Sequence, residues 1–460
     1  MEHNPPIPTL QPPSSKGAIH TFLGFDPSKQ IVSLSARDPD DVREMPPNRN
    51  AEVSVWTLRG VRKVSPSPSR FLLLFLGGNH IPIQLTPPAW RSHAQACQPD
   101  LIFALSDTPF TDPAHRAYSQ KRLTKSIDRT AAWLGVMLRP GSTPLPPIFV
   151  PMAGGASPAA RRAFASSLLE PFYGPEAEIM HSSGLKSLDE GVAGYSFDLA
   201  PLRGGLSKGK GEGEGEADTA TSADPDLVSL IRTSLAPLPP HKPRLINSTH
   251  GPHEVLRCIT NVGADVFDAA WAQRLAGRGV ARDFEFPAAA APQESGGGGR
   301  AIGHNLYDQT YAFDLGSIAE VAVCACPACS PLAPPERDRI RHGGDSAAHT
   351  LIDESTPTHA HAHTRAYLHH LLHTHEMGAH TLLAMHNLTV LDRFFEGVRE
   401  VLEACGDGEE SMRRWSGQVA RFCEVYDEVR SGEVVERARR DWENVDRARG
   451  KGRLAREKEK

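Results

Sequence analysis

The chain has 460 residues and a formal net charge of −5, with no continuous run of eighteen apolar side chains. That length suits one large domain with attachments or two domains. The charge excludes a globally basic nucleic-acid footprint, so any RNA contact is local or comes from a partner, and the hydropathy offers no membrane-spanning helix. The start, Met1-Glu2-His3-Asn4-Pro5-Pro6, has neither the apolar centre of a signal peptide nor an Arg-rich amphipathic presequence. Residues 1–17 are Pro-rich and are expected to be disordered.

Short apolar runs bounded by turn formers then alternate with helical patterns. Strands are predicted at 53–56, 101–105, 148–150, 194–197, 244–246 and 265–267. One helix is predicted from Gln120 to Leu138, with Leu123, Ile127, Ala131 and Leu134 on one face. Another is predicted from Pro252 to Val262, with Val255, Leu256 and Ile259 inward. Strand–helix alternation on this scale predicts an α/β fold, an irregular (β/α)8 TIM-type barrel over residues 18–320. An open doubly wound sheet is the alternative, weakened because no Gly-rich phosphate loop follows the first strand. Two inserts interrupt the pattern, near 204–226 and 288–300, both too rich in Gly and polar or small residues to order themselves.

Seven cysteines suit a reducing compartment better than a disulfide framework, and three of them fall within six residues. Cys324-Ala-Cys326-Pro-Ala-Cys329 has the spacing at which thiolates wrap one small metal ion. Three thiolates with one imidazole would make a closed tetrahedral Cys3His set, which holds structure and leaves no open position for chemistry. Spacing alone does not choose the imidazole. Ten other histidines, among them His359, His361 and His363, lie between Cys329 and His386. Residues 321–404 form the predicted zinc-binding subdomain, with an insert near 330–362, and 405–460 a charged helical tail. The last part of that tail, 436–460, holds ten basic and six acidic side chains and reads as a solvated, fraying helix.

The run Cys324 to Cys329, then Thr364-Arg365-Ala366-Tyr367-Leu368-His369-His370-Leu371, then Glu376, then Met385-His386-Asn387-Leu388, resembles the C-terminal zinc segment of the tRNA-guanine transglycosylases. That resemblance selects His386 as the fourth ligand and implies one structural Zn2+ per subunit. Val53-Ser54-Val55-Trp56, Gln98-Pro99-Asp100, Ala104-Leu105-Ser106-Asp107, Lys121-Arg122, Lys125-Ser126-Ile127-Asp128-Arg129, Lys242-Pro243-Arg244-Leu245-Ile246, Pro252-His253-Glu254-Val255-Leu256 and Arg278-Gly279 resemble its non-catalytic branch. The family's first barrel strand precedes the part matched from Gly24 onward. The Pro-rich start therefore implies either an irregular barrel entry or a truncated sequence.

The family exchanges guanine for queuine at the wobble position of tRNAs with GUN anticodons, those for aspartate, asparagine, histidine and tyrosine. An aspartate attacks the ribose and guanine leaves. Asp265-Val266-Phe267-Asp268 keeps the nucleophile's setting, with Asp268 at its position. The acidic base-binding segment has no counterpart: Phe75-Leu76-Gly77-Gly78-Asn79-His80 stands in its place. Where the family has its Gly-Gly-Leu segment after a barrel strand, the run here is Gly194-Tyr195-Ser196-Phe197-Asp198-Leu199, and Ala270-Trp271-Ala272 replaces Pro-Thr-Arg. Asp268 is therefore read as vestigial, and no catalytic residue is assigned.

The resemblance implies a non-catalytic subunit that pairs with a catalytic queuine tRNA-ribosyltransferase chain as a heterodimer and reaches tRNA through the complex. It implies a cytoplasmic location, with peripheral association at the mitochondrial outer membrane. The alternative is an active transglycosylase using Asp268; a zinc-stabilised scaffold without a tRNA role is a third reading. A helix over 364–375 would set Tyr367, Leu371 and His375 on one face with Leu368 and Leu372 beside them. Leu382, Leu383 and Leu388 extend this apolar surface, part of which is expected to meet the partner.

Overall fold

In the computed structural model the described residues are 86–107, 119–206 except 142, 225–289, 299–319, 324, 326–329 and 363–449 except 407, with short pieces at 19–20, 28, 31–36, 55–57 and 60–62. The predicted inserts fall largely outside them, as do His342, His349, His359 and His361 and the run 75–80. The chain divides into two units. The first comprises Met1–Gly213, Asp224–Thr249 and Arg257–Asp268; the second comprises Glu214–Ala223, His250–Leu256 and Ala269–Lys460.

The first unit is built on six parallel strands: β1 (Ser33–Leu34), β4 (Leu101–Phe103), β5 (Ile148–Pro151), β6 (Gly194–Asp198), β7 (Arg244–Asn247) and β8 (Val266–Phe267). Strands β2 (Val55–Thr57) and β3 (Gly60–Arg62) form a separate antiparallel hairpin, so the run predicted at 53–56 is not in the parallel sheet. Each parallel strand lies beside the next in chain order, and the sheet curls into half a barrel wall. A doubly wound sheet would reverse its order at a switch point; this one does not.

Helices close the crossovers: α1 (Pro87–Cys97), α2 (Gln120–Leu138), α3 (Pro158–Leu169), α4 (Gly174–His181), α5 (Leu199–Leu206), α6 (Pro225–Leu235) and α7 (Pro252–Val262). The starts of three are set by side chains. Thr86, Ser119 and Ser157 each accept a hydrogen bond from the amide three residues on, and Pro87 and Pro158 occupy first helical positions, where the missing N–H costs nothing. Trp90, Ile102, Leu134, Phe164, Tyr195, Phe197 and Ile246 are buried in one core. Burying a side chain of that size stabilises by about 1.5–3 kcal/mol.

The two ends of the strands differ in chemistry. At the entry to β6 and β7, the Tyr195 hydroxyl donates to Asp189 Oδ1 at 2.6 Å and Lys242 Nζ reaches Asp189 Oδ2 at 2.9 Å. At the exit from β4, Asp107 holds Arg122 through two bonds, of 2.8 and 2.6 Å, and Arg129 through one of 3.1 Å.

The second unit contains α8 (Ala270–Gly277), the antiparallel pair β9 (Val280–Arg282) and β10 (Gly303–Asn305), then α9 (Arg365–His373), α10 (Met377–Cys405), α11 (Glu409–Val425) and α12 (Glu428–Arg449). Trp271, Phe284, Phe286, Phe394, Trp415, Phe422 and Tyr426 are buried within it. Helix α10 passes this cluster at Gly397, where a Cβ would lie 1.7 Å from the Phe286 carbonyl oxygen, so only glycine fits. In the described part of the charged tail, Ala438 is buried and Asp441 accepts from Asn305 Nδ2 at 2.7 Å. Helix α12 is therefore docked, not solvated on all sides.

Candidate metal centre

Cys324, Cys326 and Cys329 come from a turn that follows β10, and His386 from the second turn and a half of α10. One ligand atom from each can be chosen so that all four lie within 4.8 Å of one another. Cys329 Sγ is 3.3 Å and Cys326 Sγ 3.8 Å from His386 Nδ1. A tetrahedral zinc with ordinary Zn–S and Zn–N bonds would need S···N and S···S edges of about 3.5–3.8 Å, so the donors fit such an ion. Cys324, Cys326 and His386 are buried and Cys329 half-buried. Among the described residues no other group of three or more His, Cys, Asp or Glu side chains is placed to hold a metal.

The turn is shaped for this. The Cys329 amide donates to Cys326 Sγ at 3.2 Å, which folds the last two thiols toward one point and stabilises charge on sulfur. His363 N donates to the Ala328 carbonyl at 3.2 Å, so the chain that re-enters after 330–362 is tied back to the turn. His386 Nε2 sits 2.7 Å from the Arg282 carbonyl oxygen. A carbonyl only accepts, so Nε2 keeps a proton and Nδ1 is the nitrogen turned to the thiols, the one an ion would take once its proton is displaced, as is usual for a metal-bound imidazole.

The four groups also share protons. Hydrogen bonds from Cys326 and Cys329 pull the Cys324 thiol well below its usual range. Sharing with Cys324 and Cys326, together with burial, pushes Cys329 up. Burial works against a charged His386, but hydrogen bonds to Cys324 and Cys326 more than offset it and lift its pKa to about 9. An ion bound here would displace protons.

The remaining described histidines of the His-rich stretch are engaged elsewhere or lie apart from the cluster. His369 Nδ1 bonds the Leu306 carbonyl at 2.9 Å, His373 Nε2 that of Tyr307 at 3.1 Å and His380 Nδ1 that of Ala276 at 3.1 Å. His363 stacks on Tyr367, with ring centroids 5.3 Å apart. Arg365 pairs with Asp314 at 3.0 Å, and so anchors a loop on which Phe313 is 93% and Leu315 78% exposed; Tyr367 is 45% exposed. Leu368, Leu372 and Leu383 are consumed by the unit's own core.

In the first unit, Asp268 follows β8. Its Oδ2 accepts the Ser248 amide at 2.8 Å and its own amide donates to Ile246 O at 3.3 Å. Ser248 has φ +62°, a conformation that costs about 1 kcal/mol or more outside glycine, and the carboxylate secures that turn. Beside it in the sheet, Asp198 Oδ1 accepts from Asn247 Nδ2 at 2.8 Å. A cleft at the exits of β5 and β6 is lined by Met152, Gly155, Arg161, Ser196, Asp198 and Leu202. Sequence reasoning missed Asn247 and Arg282. One acts through an amide across adjacent strands and the other through its backbone, and neither leaves a spacing signal.

Comparison with known proteins agrees with this geometry. A family model described as queuine tRNA-ribosyltransferase matches residues 215–420. The queuine tRNA-ribosyltransferase accessory subunit 2 of Homo sapiens is 25% identical over 393 residues, covering 85% of this chain and 78% of the relative. That of Caenorhabditis elegans is 25% identical over 392 residues, covering 84% and 77%. A queuine tRNA-ribosyltransferase of Prochlorococcus marinus is 32% identical over 109 residues, 20% of this chain and 29% of the relative.

Proposed function

We propose, from a resemblance to the tRNA-guanine transglycosylases and among them to the accessory subunit 2 proteins that extends over most of the chain, that this protein is the non-catalytic subunit of a queuine tRNA-ribosyltransferase. In this reading it pairs with a catalytic chain and helps hold tRNA while guanine is exchanged for queuine at the wobble position of GUN anticodons. The observation that carries the reading is the similarity to accessory subunit 2 proteins over most of the chain. The strand exits are in keeping with it: Asp268 Oδ2 accepts the Ser248 amide and Asp198 Oδ1 accepts from Asn247.

The finer parts of the reading rest on the same resemblance. The half-barrel wall is completed to eight strands. The Cys3His set holds one structural zinc, through Cys324, Cys326, Cys329 and His386, which fixes the turn to α10 and supplies no step of the exchange. The exposed Phe313, Leu315 and Tyr367 supply a contact for the catalytic chain. Among the described residues no helix is long and apolar enough to cross a membrane. Cytoplasmic action with peripheral attachment to the mitochondrial outer membrane fits that finding.

The test is base exchange with radiolabelled guanine or queuine, by this chain alone and then with a catalytic chain. Exchange only in the mixture supports the reading. Exchange by this chain alone would establish the opposite one, in which Asp268 is the nucleophile.

A further inference from the structure

Strand β9 has only one strand neighbour among the described residues. Its register with β10 pairs Val280 with Asn305, Ala281 with His304 and Arg282 with Gly303. The bonds to that neighbour alternate: Leu306 N donates to Gly279 O and Asp283 N to Ile302 O. Val280 and Arg282 therefore turn their backbone groups to the opposite edge. A buried edge must find partners, since an unmade backbone hydrogen bond there costs about 1–3 kcal/mol.

The partners are two consecutive side chains of α10. Asn387 Oδ1 accepts the Arg282 amide at 2.9 Å, and Asn387 Nδ2 donates to Val280 O at 3.0 Å and to Ala272 O of α8 at 3.1 Å. His386 Nε2 donates to Arg282 O. Both side chains have zero exposure. The dipeptide stands in for a missing strand, and it meets both backbone groups of Arg282 at once.

We infer that Asn387 is a positioning residue for the metal centre. It touches none of the four donors. By holding Arg282 N–H it fixes where Arg282 O lies, which fixes the proton of His386 on Nε2 and aims Nδ1 at the thiols. The inference rests on reading the four side chains as a metal site. Its reach also extends outward, because the same amide ties α8 to the strand. Ion, α8 and β9 form one mechanically coupled set, so metal occupancy is felt in the segment that directly follows Asp268.

Cobalt(II), whose visible bands report tetrahedral thiolate coordination, tests this on the full chain. Loss of such an outer-layer contact typically costs 10- to 100-fold in metal affinity, and Asn387→Leu, which keeps the volume, should lose about that much while α-helical content is retained. Affinity within twofold of wild type in this variant, with helical content retained, would overturn the inference. Nitrogen-15 histidine spectra of the wild-type chain give an arm that needs no variant: Nε2 should be protonated and Nδ1 metal-bound, and the reverse assignment would overturn it. Absence of cobalt bands in the wild-type chain would instead remove the metal reading beneath it.

Discussion

The metal cluster and the strand-end region are both places where polar side chains converge, yet they converge differently. At the cluster, Nδ1 of His386 faces the three sulfurs, and the neighbouring bonds come from groups that stiffen the ligands without using them up, such as Cys329 N and Arg282 O. At the strand ends, the carboxylates serve the local backbone and the neighbouring strand: Asp268 Oδ2 accepts the Ser248 amide and Asp198 Oδ1 accepts from Asn247. A ligand-ready site keeps its donors unspent and buttresses them from behind. At the strand ends the same kinds of polar group fasten a turn and a neighbouring strand.

The sharpest break of that contrast is Cys326→Ser. Metal content should fall from one ion per chain to near zero, and the second unit should melt at a markedly lower temperature while the first is unchanged. Full metal loading in the variant would show that the cluster is not the site. In the wild type, affinity should weaken as pH falls, because thiolates and imidazole must shed protons to bind. Metal titrations between mildly acid and neutral pH check the sign.

Next in size is Asp189→Ala at the opposite strand end. It leaves the largely covered Lys242 without its carboxylate and removes the Tyr195 acceptor, so denaturant melts should show a loss of about 2–4 kcal/mol. A far smaller loss would mean that the strand entry is not held by this ion pair. Smaller still is Asp268→Asn. An amide oxygen can still accept from Ser248, so stability should change by about 1 kcal/mol or less, and exchange by the assembled complex should stay within twofold. A collapse of exchange with assembly intact would return Asp268 to the catalytic role. The smallest effect is expected for His363→Ala, whose ring lies on Tyr367 and whose loss should leave metal content unchanged.

The parallel strands were legible because a strand covered on both faces is a continuous apolar run. The predicted runs at 101–105, 148–150, 194–197, 244–246 and 265–267 coincide with β4 to β8 to within a residue or two. Strand β1 was not, since two residues leave no period to read. Nor was the pairing of β9 with β10, whose partners are separated by the Gly-rich stretch through Gly299. The docking of α11 was hidden by composition. Its buried Trp415 and Phe422 are spaced widely among charged residues, and only packing reveals that they share a face. The four metal-cluster side chains were legible in kind from the cysteine spacing, but the choice of His386 among eleven histidines needed the resemblance. The work of Asn387 needed coordinates, because it is done on backbone groups far away in sequence.

The bond from His363 N to Ala328 O has a practical consequence. Two points that bracket a long stretch of chain are already stapled beside the thiols, and lengthening a closed loop adds only logarithmically to its entropy. An insertion between 330 and 362 is therefore expected to be tolerated at the ligand turn. A fluorescent or affinity module grafted there should leave the ligand turn undisturbed and report on assembly from beside the metal.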